Sequence, residues 1–357
     1  MTSNGRRLVH DAEGLNTAVW PIRADCLVTP TDEFFTRSHA SVPQIDPAGW
    51  RLEVDGLVDR PRSFTLEELA RFSRRSVAAT LVCAGLRRDE LLSLGPLPSE
   101  LPWGPEAAST GQWAGIALRD LLDAVGLEGG ARYVEFVGLD RVERHGRRFG
   151  FGASIDLAKA LSPEVLLADV LNGAPLPAVH GFPVRAVVPG WIGARSVKWL
   201  GRITLTAEPS QNYFQSKAYR VQREPTPGDP RDVSAGVAMS GVPLNTVIVD
   251  PAPGRVVPAG RVLVRGWAMG SEGRRPAAVE LSPNAGEDWI PARIAVPGAE
   301  WTWALWEAAV ELSPGHHVLA ARATDASGAV QPRTLGETWN VKGYGNNAWH
   351  RVPIRVE

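Results

Sequence analysis

Short apolar runs separated by turn residues fill the last third of the chain, and they leave little choice of fold there. The runs cover residues 246–250, 261–267, 277–282, 289–296, 301–312, 317–324, 337–341 and 352–356. Short strands at this spacing are typical of a β-sandwich. We therefore predict an all-β, immunoglobulin-like sandwich over residues 241–357. Domains of this kind commonly serve binding or assembly, which favours a homodimer.

The preceding residues carry a mixed pattern. Helix cannot dominate a chain of 357 residues with 36 Gly and 29 Pro. Runs at 50–58 and 133–139 predict strands, whereas apolar residues at helical spacing predict a helix over 116–125. Strands and helices do not alternate regularly, so residues 34–240 are predicted to form an α+β domain. Residues 1–33 are expected to be an irregular N-terminal extension, and the Pro- and Gly-rich segment 225–241 a linker.

One stretch of this region combines a strand with reactive chemistry. Residues 77–82 are β-branched or apolar and predict a buried strand, which ends at Cys83. Gly85 allows close approach of backbone or ligand, and Arg87 and Arg88 follow. A thiolate beside fixed cations suits a soft metal and an anionic substrate. From these residues alone, the alternative is that Cys83 is simply a small buried hydrophobe.

Bulk composition excludes several classes of function. With 38 basic and 39 acidic residues the net charge is −1, so no bulk electrostatics favour nucleic acid or a membrane surface. The two cysteines, Cys26 and Cys83, exclude a disulfide framework and any all-cysteine metal site. The Arg6-Arg7 pair is not followed by an apolar segment, so no export signal is predicted and a cytoplasmic location is expected.

Several sequence runs, taken together, resemble the sulfite oxidase family of molybdenum enzymes. The resemblance covers the chain from about Phe34 to the C-terminus and keeps the family's order throughout. Its runs are Phe-Thr-Arg-Ser-His ending at His39, Cys-Ala-Gly-Leu-Arg-Arg from Cys83 to Arg88, Ser-Thr-Gly-Gln-Trp-Ala-Gly around Trp113, Phe-Val-Gly-Leu-Asp ending at Asp140, His-Gly-Phe-Pro-Val-Arg from His180 to Arg185, Gly-Ala-Arg-Ser-Val-Lys-Trp-Leu-Gly around Lys198 and Asn-Ala-Trp-His-Arg-Val around Arg351.

The resemblance implies a molybdenum cofactor-binding catalytic domain at 34–240 and a dimerisation domain at 241–357. It implies that Cys83 supplies a thiolate to molybdenum beside the dithiolene of a pyranopterin, the molybdopterin cofactor. The positions that match the pterin- and phosphate-binding residues are Thr36, Arg37, His39, Cys83, Asp140, His180, Arg185, Ser196, Val197 and Lys198. Convergent cations and donors suit a cofactor with a phosphate and many ring nitrogens.

The resemblance also implies a catalytic pocket for a small oxyanion. Arg37, Arg88 and Arg351 match the arginines that bind sulfite, Trp103 matches a wall of the pocket, and Tyr219 the tyrosine beside the metal. Tyr213 competes with Tyr219 for that last assignment. The implied reaction is oxidation of sulfite to sulfate by oxygen-atom transfer. No haem domain is expected in this chain, so electrons are expected to pass to an external acceptor such as a cytochrome c.

Three alternatives remain at this stage: nitrate reduction or sulfoxide reduction on the same scaffold, and a molybdopterin-binding protein without turnover. The ending Asn-Ala-Trp-His-Arg favours the sulfite oxidases over the nitrate reductases. One position departs from the family pattern, because Leu86 stands where Asn usually follows Cys-Ala-Gly. We expect this change to remove a polar group near the site and to affect substrate affinity or the electron acceptor.

Overall fold

The computed structural model describes residues 7–10, 17–229 and 232–357. The side chains of residues 1–16, which include the Arg6-Arg7 pair, therefore lie outside the described part of the chain. Within the described residues the fold is dominated by strands, and the longest α-helix has 8 residues. None of the helices in this part of the chain is long and apolar enough to span a bilayer.

The strands before residue 240 are β1 (Arg7–His10), β2 (Thr17–Val19), β3 (Leu52–Gly56), β4 (Arg62–Phe64), β5 (Arg74–Val82), β6 (Ala108–Ala117), β7 (Tyr133–Gly138), β8 (Val142–Arg144), β9 (Arg147–Phe149), β10 (Gly152–Asp156), β11 (Leu166–Leu171), β12 (Ala174–Pro175), β13 (Arg185–Val187), β14 (Leu200–Thr206), β15 (Arg220–Val221) and β16 (Val237–Ala238). The helices here are α1 (Leu66–Leu69), α2 (Arg88–Leu91), α3 (Leu118–Val125), α4 (Leu157–Ala160) and α5 (Tyr213–Ser216), with 3-10 turns at Ala178–His180 and Gly193–Arg195.

Two sheets form the body of this first part, the first mixed and the second antiparallel. One has the order β10-β7-β14-β3-β4, in which β14 and β3 run parallel, and the other has the order β12-β11-β6-β5, with β13 also paired to β11. Buried and half-exposed residues alternate along β7, which is why this segment forms a half-buried strand. Short helices connect the sheets, so this part has the predicted α+β character.

Two reciprocal hydrogen bonds mark the start of helix α1. The Glu68 amide donates to the Thr65 hydroxyl at 3.1 Å, and the Thr65 amide donates to the Glu68 carboxylate at 2.8 Å. This reciprocal capping box satisfies backbone donors that an open helix end leaves unpaired.

The second part consists of β17 (Asn245–Asp250), β18 (Val256–Val257), β19 (Gly260–Met269), β20 (Pro276–Ser282), β21 (Ile290–Val296), β22 (Ala304–Leu312), β23 (Gly315–Asp325), α6 (Leu335–Thr338) and β24 (His350–Val356). The strands are ordered β17-β19-β22-β21-β20-β23-β24-β18. All but one of the predicted runs coincide with a strand. The exception is 337–341, where Thr334 and Glu337 form a second capping box and begin helix α6 instead of a strand.

The two parts pack against each other through a shared core. Trp267 and Trp303 of the second part belong to the same buried apolar cluster as Phe34 and Trp113 of the first. Backbone bonds also cross the boundary, because the Thr80 amide donates to the Trp301 carbonyl at 2.9 Å. The parts are therefore fixed relative to each other, and both contribute to the cavities described next.

Candidate active site

Strand β5 leads directly to Cys83. Its exposed N-terminal half gives way to a buried C-terminal half, so the chain enters the core just before the cysteine. The Cys83 amide donates to the Ala107 carbonyl at 2.9 Å, which fixes the backbone at the end of the strand. Burial raises the pKa of the Cys83 thiol, and the positive charges of Arg88 and Arg37 oppose that effect.

Gly85 leaves space for the guanidinium group of Arg88 at the turn that follows Cys83. A Cβ atom at Gly85 would lie 2.6 Å from the guanidinium carbon of Arg88. Only a residue without a side chain therefore leaves room for Arg88 beside the Cys83 turn.

Two cavities meet at Cys83. We call the first, of about 740 Å³ including its solvent-open part, the inner cavity. Every residue predicted to bind the cofactor lines it: Thr36, Arg37, His39, Cys83, Asp140, His180, Arg185, Ser196, Val197 and Lys198. The second, of about 1660 Å³ including its solvent-open part, we call the outer cavity, and Arg37, His39, Cys83 and Tyr219 line both. A thiol shared by two cavities suits a metal between a cofactor and a substrate.

Buried cations dominate the inner cavity. Arg185 donates to the backbone carbonyls of His180 at 2.9 Å and Ser196 at 2.8 Å, and Lys198 donates to the Ser38 hydroxyl at 2.9 Å and the Val179 carbonyl at 3.0 Å. Burial lowers the pKa of Arg185 to about 9, and burial together with Arg185 lowers that of Lys198 well below its ordinary value.

The other titratable groups of the inner cavity do not supply a compensating ion pair. Burial raises the pKa of Asp140, whose carboxylate accepts the Phe151 amide at 2.8 Å. Burial, with Lys198 and Arg185, lowers the pKa of His180 to about 3, so this imidazole is neutral. Within the described residues neither Arg185 nor Lys198 has a carboxylate at salt-bridge distance, and the charge of Asp140 only partly offsets the effect of burial on the pKa of Lys198. Buried charges are stable only when they are paired, so this arrangement favours an anionic ligand such as a phosphate.

Arg37, His39 and Tyr219 form a hydrogen-bonded chain between the cavities. Arg37 Nη2 lies 3.3 Å from His39 Nδ1, and His39 Nε2 lies 2.8 Å from the Tyr219 hydroxyl. Burial and the cations Arg37, Arg144 and Lys198 lower the pKa of His39 well below its ordinary value. The imidazole is therefore neutral, and because a guanidinium can only donate, Nδ1 accepts and Nε2 carries the proton. His39 thus donates to the Tyr219 oxygen and leaves the hydroxyl proton of Tyr219 available to an acceptor in the cavity.

Tyr219 is held rigidly and stays protonated. Its backbone has the left-handed φ of +51°, and its ring stacks on Tyr344 with centroids 5.5 Å apart. Burial raises the pKa of Tyr219 to about 12, with Arg37 opposing the shift. Its competitor, Tyr213, lines only the outer cavity and packs against His145, so the geometry favours Tyr219 as the tyrosine beside Cys83.

Cations also line the outer cavity, but one predicted member is not among them. Arg37, Arg88 and Trp103 lie where the sequence predicts, on the wall of this cavity. Arg351 lines neither cavity. Its guanidinium donates to the Arg333 carbonyl at 3.0 Å and lies over the Trp349 ring, on the β24 surface. The expectation that Arg351 joins Arg37 and Arg88 is therefore corrected.

Lys342 is one of three further cations on the outer cavity, together with Arg144 and Lys217. It lines the outer cavity, and its backbone carbonyl accepts from Arg88 Nε at 2.8 Å. The loop that carries it is shaped by Asn340, whose side chain accepts the Tyr344 amide at 3.0 Å and donates to the Tyr344 carbonyl at 2.7 Å. Sequence reasoning missed Lys342, Tyr344 and Glu100, all of which line the outer cavity. The signal for the first two was the Gly- and Asn-rich segment that follows α6.

Leu86 does not reach the site. It is buried in the apolar core and lines neither cavity, so the expected loss of a polar group from the substrate pocket is not seen.

The residues of the inner cavity fit molybdopterin. Their unpaired buried cations suit its phosphate, and Cys83 offers a soft thiolate. Among the described residues no group of three or more His, Cys, Asp or Glu side chains is placed to hold a metal ion. A metal here therefore needs further ligands from an organic cofactor, which a dithiolene supplies.

Comparison with known proteins agrees with this chemistry. The oxidoreductase molybdopterin binding domain model matches residues 39–214, and the Mo-co oxidoreductase dimerisation domain model matches residues 237–357. The sulfite oxidase of Gallus gallus is 41% identical over 340 residues, which cover 92% of this chain and 73% of that protein. The mitochondrial sulfite oxidase of Rattus norvegicus is 38% identical over 340 residues, and the match covers 92% of this chain but only 62% of that protein.

A solved structure shares the fold. The sulfane dehydrogenase SoxCD from Paracoccus pantotrophus superposes with a TM-score of 0.82 over 99% of this chain and 90% of that chain, at 24% sequence identity.

Fold, cavity and domain matches together define a molybdopterin-dependent oxidoreductase with a β-rich dimerisation domain. Within that class, the sequence is 41% and 38% identical to the two sulfite oxidases above. The chain therefore belongs to the sulfite oxidase family.

Proposed function

We propose that this chain oxidises sulfite to sulfate and passes the two electrons to an external acceptor such as a cytochrome c. The observation that carries the proposal is the placement of Arg37, Arg88 and Lys342 on the outer cavity, next to Cys83. Gathered cations favour a small dianion, and their guanidinium groups suit the oxygens of sulfite. The overall reaction consumes sulfite and water and yields sulfate, two protons and two electrons.

The inner-cavity residues would hold the cofactor. Arg185 and Lys198 would bind its phosphate, Asp140, His180 and Thr36 would bind polar groups of the pterin, and Cys83 would bind the metal. When bound, the molybdenum cofactor supplies two-electron oxygen-atom transfer. The protein's contribution is to orient the anion and to balance its charge during the reaction.

Tyr219 is the proposed proton carrier. Its protonated hydroxyl accepts from His39 and keeps its own proton available at the junction of the cavities. Trp103 is only 1% exposed, and it forms an apolar wall that limits water around the anion. Together these residues provide an oriented donor beside a cationic pocket, which is what proton-coupled oxidation of an oxyanion needs.

The test is sulfite-dependent reduction of ferricyanide by purified protein of known molybdenum content. Nitrate with reduced methyl viologen, and a sulfoxide with the same donor, are the parallel assays. We expect turnover with sulfite alone, and turnover with nitrate or sulfoxide but not sulfite would overturn the proposal. Cys83→Ser should lose activity, and Cys26→Ser is the matched control because Cys26 lines neither of the two cavities that meet at Cys83. Molybdenum-loaded protein that is silent in every assay would also contradict it.

Assembly follows from the same proposal. We propose that residues 241–357 form an immunoglobulin-like sandwich through which two copies associate, and the match to a dimerisation domain supports this. The boundaries 1–33, 34–240 and 241–357 and the cytoplasmic location remain predictions. Light scattering of the purified chain is expected to give twice the mass of one chain, and a monomer would contradict the homodimer.

A further inference from the structure

A carboxylate lies between two cations of the outer cavity. Glu100 Oε1 is 3.2 Å from Lys342 Nζ, and Glu100 Oε2 is 3.2 Å from Arg88 Nη2. The side chains of Glu100, Lys342 and Arg88 are only 16%, 14% and 4% exposed, so solvent screens the contacts weakly. All three line the same cavity as Cys83 and Tyr219.

Arg88 does not need Glu100 for its orientation. Its Nε donates to the Lys342 carbonyl at 2.8 Å, and its Nη1 donates to the Leu101 carbonyl at 2.9 Å. The face of its guanidinium also lies over the Tyr344 ring, 5.0 Å from the centroid. Two backbone carbonyls and an aromatic ring therefore hold Arg88, and the Glu100 contact is additional.

Lys342 differs from Arg88 in this respect. The described contacts of its ammonium are confined to Glu100, whereas its backbone is held by the Asn340 loop. A lysine side chain is flexible, so its ammonium is able to exchange the carboxylate for another anion.

We propose that Glu100 is a specificity-determining residue, whose carboxylate competes with the substrate and product oxyanions for Arg88 and Lys342. The proposal rests on the proposed function, since it assigns Glu100 a role in the same pocket. The described lining of the outer cavity holds five cations (Arg37, Arg88, Arg144, Lys217 and Lys342) and three carboxylates (Glu100, Asp229 and Asp232), so its formal charge is +2 and becomes +3 when the charge of Glu100 is removed. The carboxylate therefore weakens the binding of dianions and promotes the release of sulfate, the product that the cations would otherwise retain.

The experiment uses the molybdenum-loaded variant Glu100→Gln, which keeps the shape of the side chain and removes its charge. We expect the KM for sulfite and the inhibition constant for inorganic sulfate each to fall by about tenfold, because a neighbouring like charge has been removed from a weakly screened site. Glu53→Gln is the matched control. Glu53 is an exposed carboxylate of β3 that lines neither of the two cavities, so the same change in total charge should leave both constants unchanged.

A second variant tests the geometry and replaces the first should Glu100→Gln fail to fold. Glu100→Asp keeps the charge, but its shorter side chain reaches at most one of the two cations. An intermediate fall in both constants is expected.

Three results would overturn the proposal. Unchanged sulfite and sulfate constants in a normally loaded Glu100→Gln protein would show that the carboxylate does not compete. A rise in both constants, or a fall in kcat at constant KM, would show that Glu100 positions the cations instead. Calorimetric titration with inorganic sulfate separates this proposal from the proposed function, because tighter sulfate binding by Glu100→Gln is measurable even where the parent protein does not oxidise sulfite.

Discussion

Arg87 is a fully buried charge at the junction of the two domains, and its replacement by Met should be among the most destabilising single changes in the chain. Its Nε and Nη2 donate to the two carboxylate oxygens of Glu90 at 2.6 and 2.8 Å. Its Nη1 donates to the Asn245 amide oxygen, in the other domain, at 2.7 Å. Arg87→Met therefore removes both guanidinium donors from the mostly buried Glu90 carboxylate, which keeps the Asn346 amide at 3.3 Å, and leaves the buried Asn245 oxygen without its donor.

The magnitude follows from those contacts. Breaking a buried ion pair by removing one partner costs about 3–5 kcal/mol, and the lower end applies because the Glu90 side chain stays 24% exposed. The unsatisfied Asn245 oxygen adds about 1 kcal/mol. We expect a loss of about 4 kcal/mol in the free energy of unfolding at pH 7, measured by urea unfolding at matched molybdenum content.

The pH dependence gives a second check with a definite sign. Burial alone raises the pKa of Glu90, but the charge and hydrogen bonds of Arg87 outweigh it, so the folded pKa lies below the ordinary value of 4.5. Its stabilisation is therefore present above about pH 4.5 and is lost as the pH falls through the folded value. In Arg87→Met the charge and hydrogen bonds of Arg87 no longer oppose burial, so the pKa of Glu90 rises relative to the parent protein and the variant recovers stability as Glu90 is protonated. The difference between the two proteins should narrow as the pH falls from 7 to about 5.

Two controls accompany this prediction. Arg148→Met removes the exposed pair with Glu143 and should change stability by less than about 0.5 kcal/mol. The double variant Arg87→Met/Glu90→Leu should regain much of the loss, because no uncompensated charge remains. A loss below about 1 kcal/mol for Arg87→Met, or a difference that widens with acidification, would refute the reasoning.

Three further predictions concern the cavities. Cys83→Ser should reduce sulfite turnover below detection, since a hydroxyl is a poor substitute for a soft thiolate, whereas full activity would exclude Cys83 as the metal ligand. Tyr219→Phe should lower kcat by about a hundredfold with a smaller change in KM, because the proton donor is lost, and steady-state kinetics showing the reverse split would assign Tyr219 to binding. Lys198→Met should lower the molybdenum content per purified chain but raise the unfolding free energy of the cofactor-free protein, because burial disfavours the charged form of Lys198. Normal molybdenum content would argue against phosphate binding by Lys198.

The sequence predicts the local parts of this molecule well. Residues 77–82 form the C-terminal half of β5, and the capping-box spacing of Thr65 and Glu68 places the start of α1 correctly. The inner cavity was also predictable, because all of its proposed cofactor-binding residues lie in runs whose order and spacing resemble one family. These features depend on contacts between residues close in sequence or on a pattern that many residues share.

The errors arise where a contact crosses the molecule. Arg88 and the Lys342 carbonyl are 254 positions apart, and no local pattern shows that they meet. Arg351 has the expected charge, but its position on β24 directs it to Trp349. The segment 337–341 was predicted as a strand from its apolar residues, whereas the Thr334 and Glu337 side chains stabilise a helix start.

The second domain, which matches a dimerisation domain, also lines the outer cavity. Its loop 340–346 meets the turn after Cys83 directly, since the Gly345 amide donates to the Ala84 carbonyl at 2.7 Å and the Asn346 side chain donates to the Arg87 carbonyl at 2.8 Å. The same loop contributes Lys342 and Tyr344 to the outer cavity. The inner cavity, by contrast, is lined only by residues up to Tyr219. The two sets of residues overlap at Arg37, His39, Cys83 and Tyr219, but the loop lines the outer cavity alone, so substitutions in the loop should change substrate constants while they leave cofactor content intact.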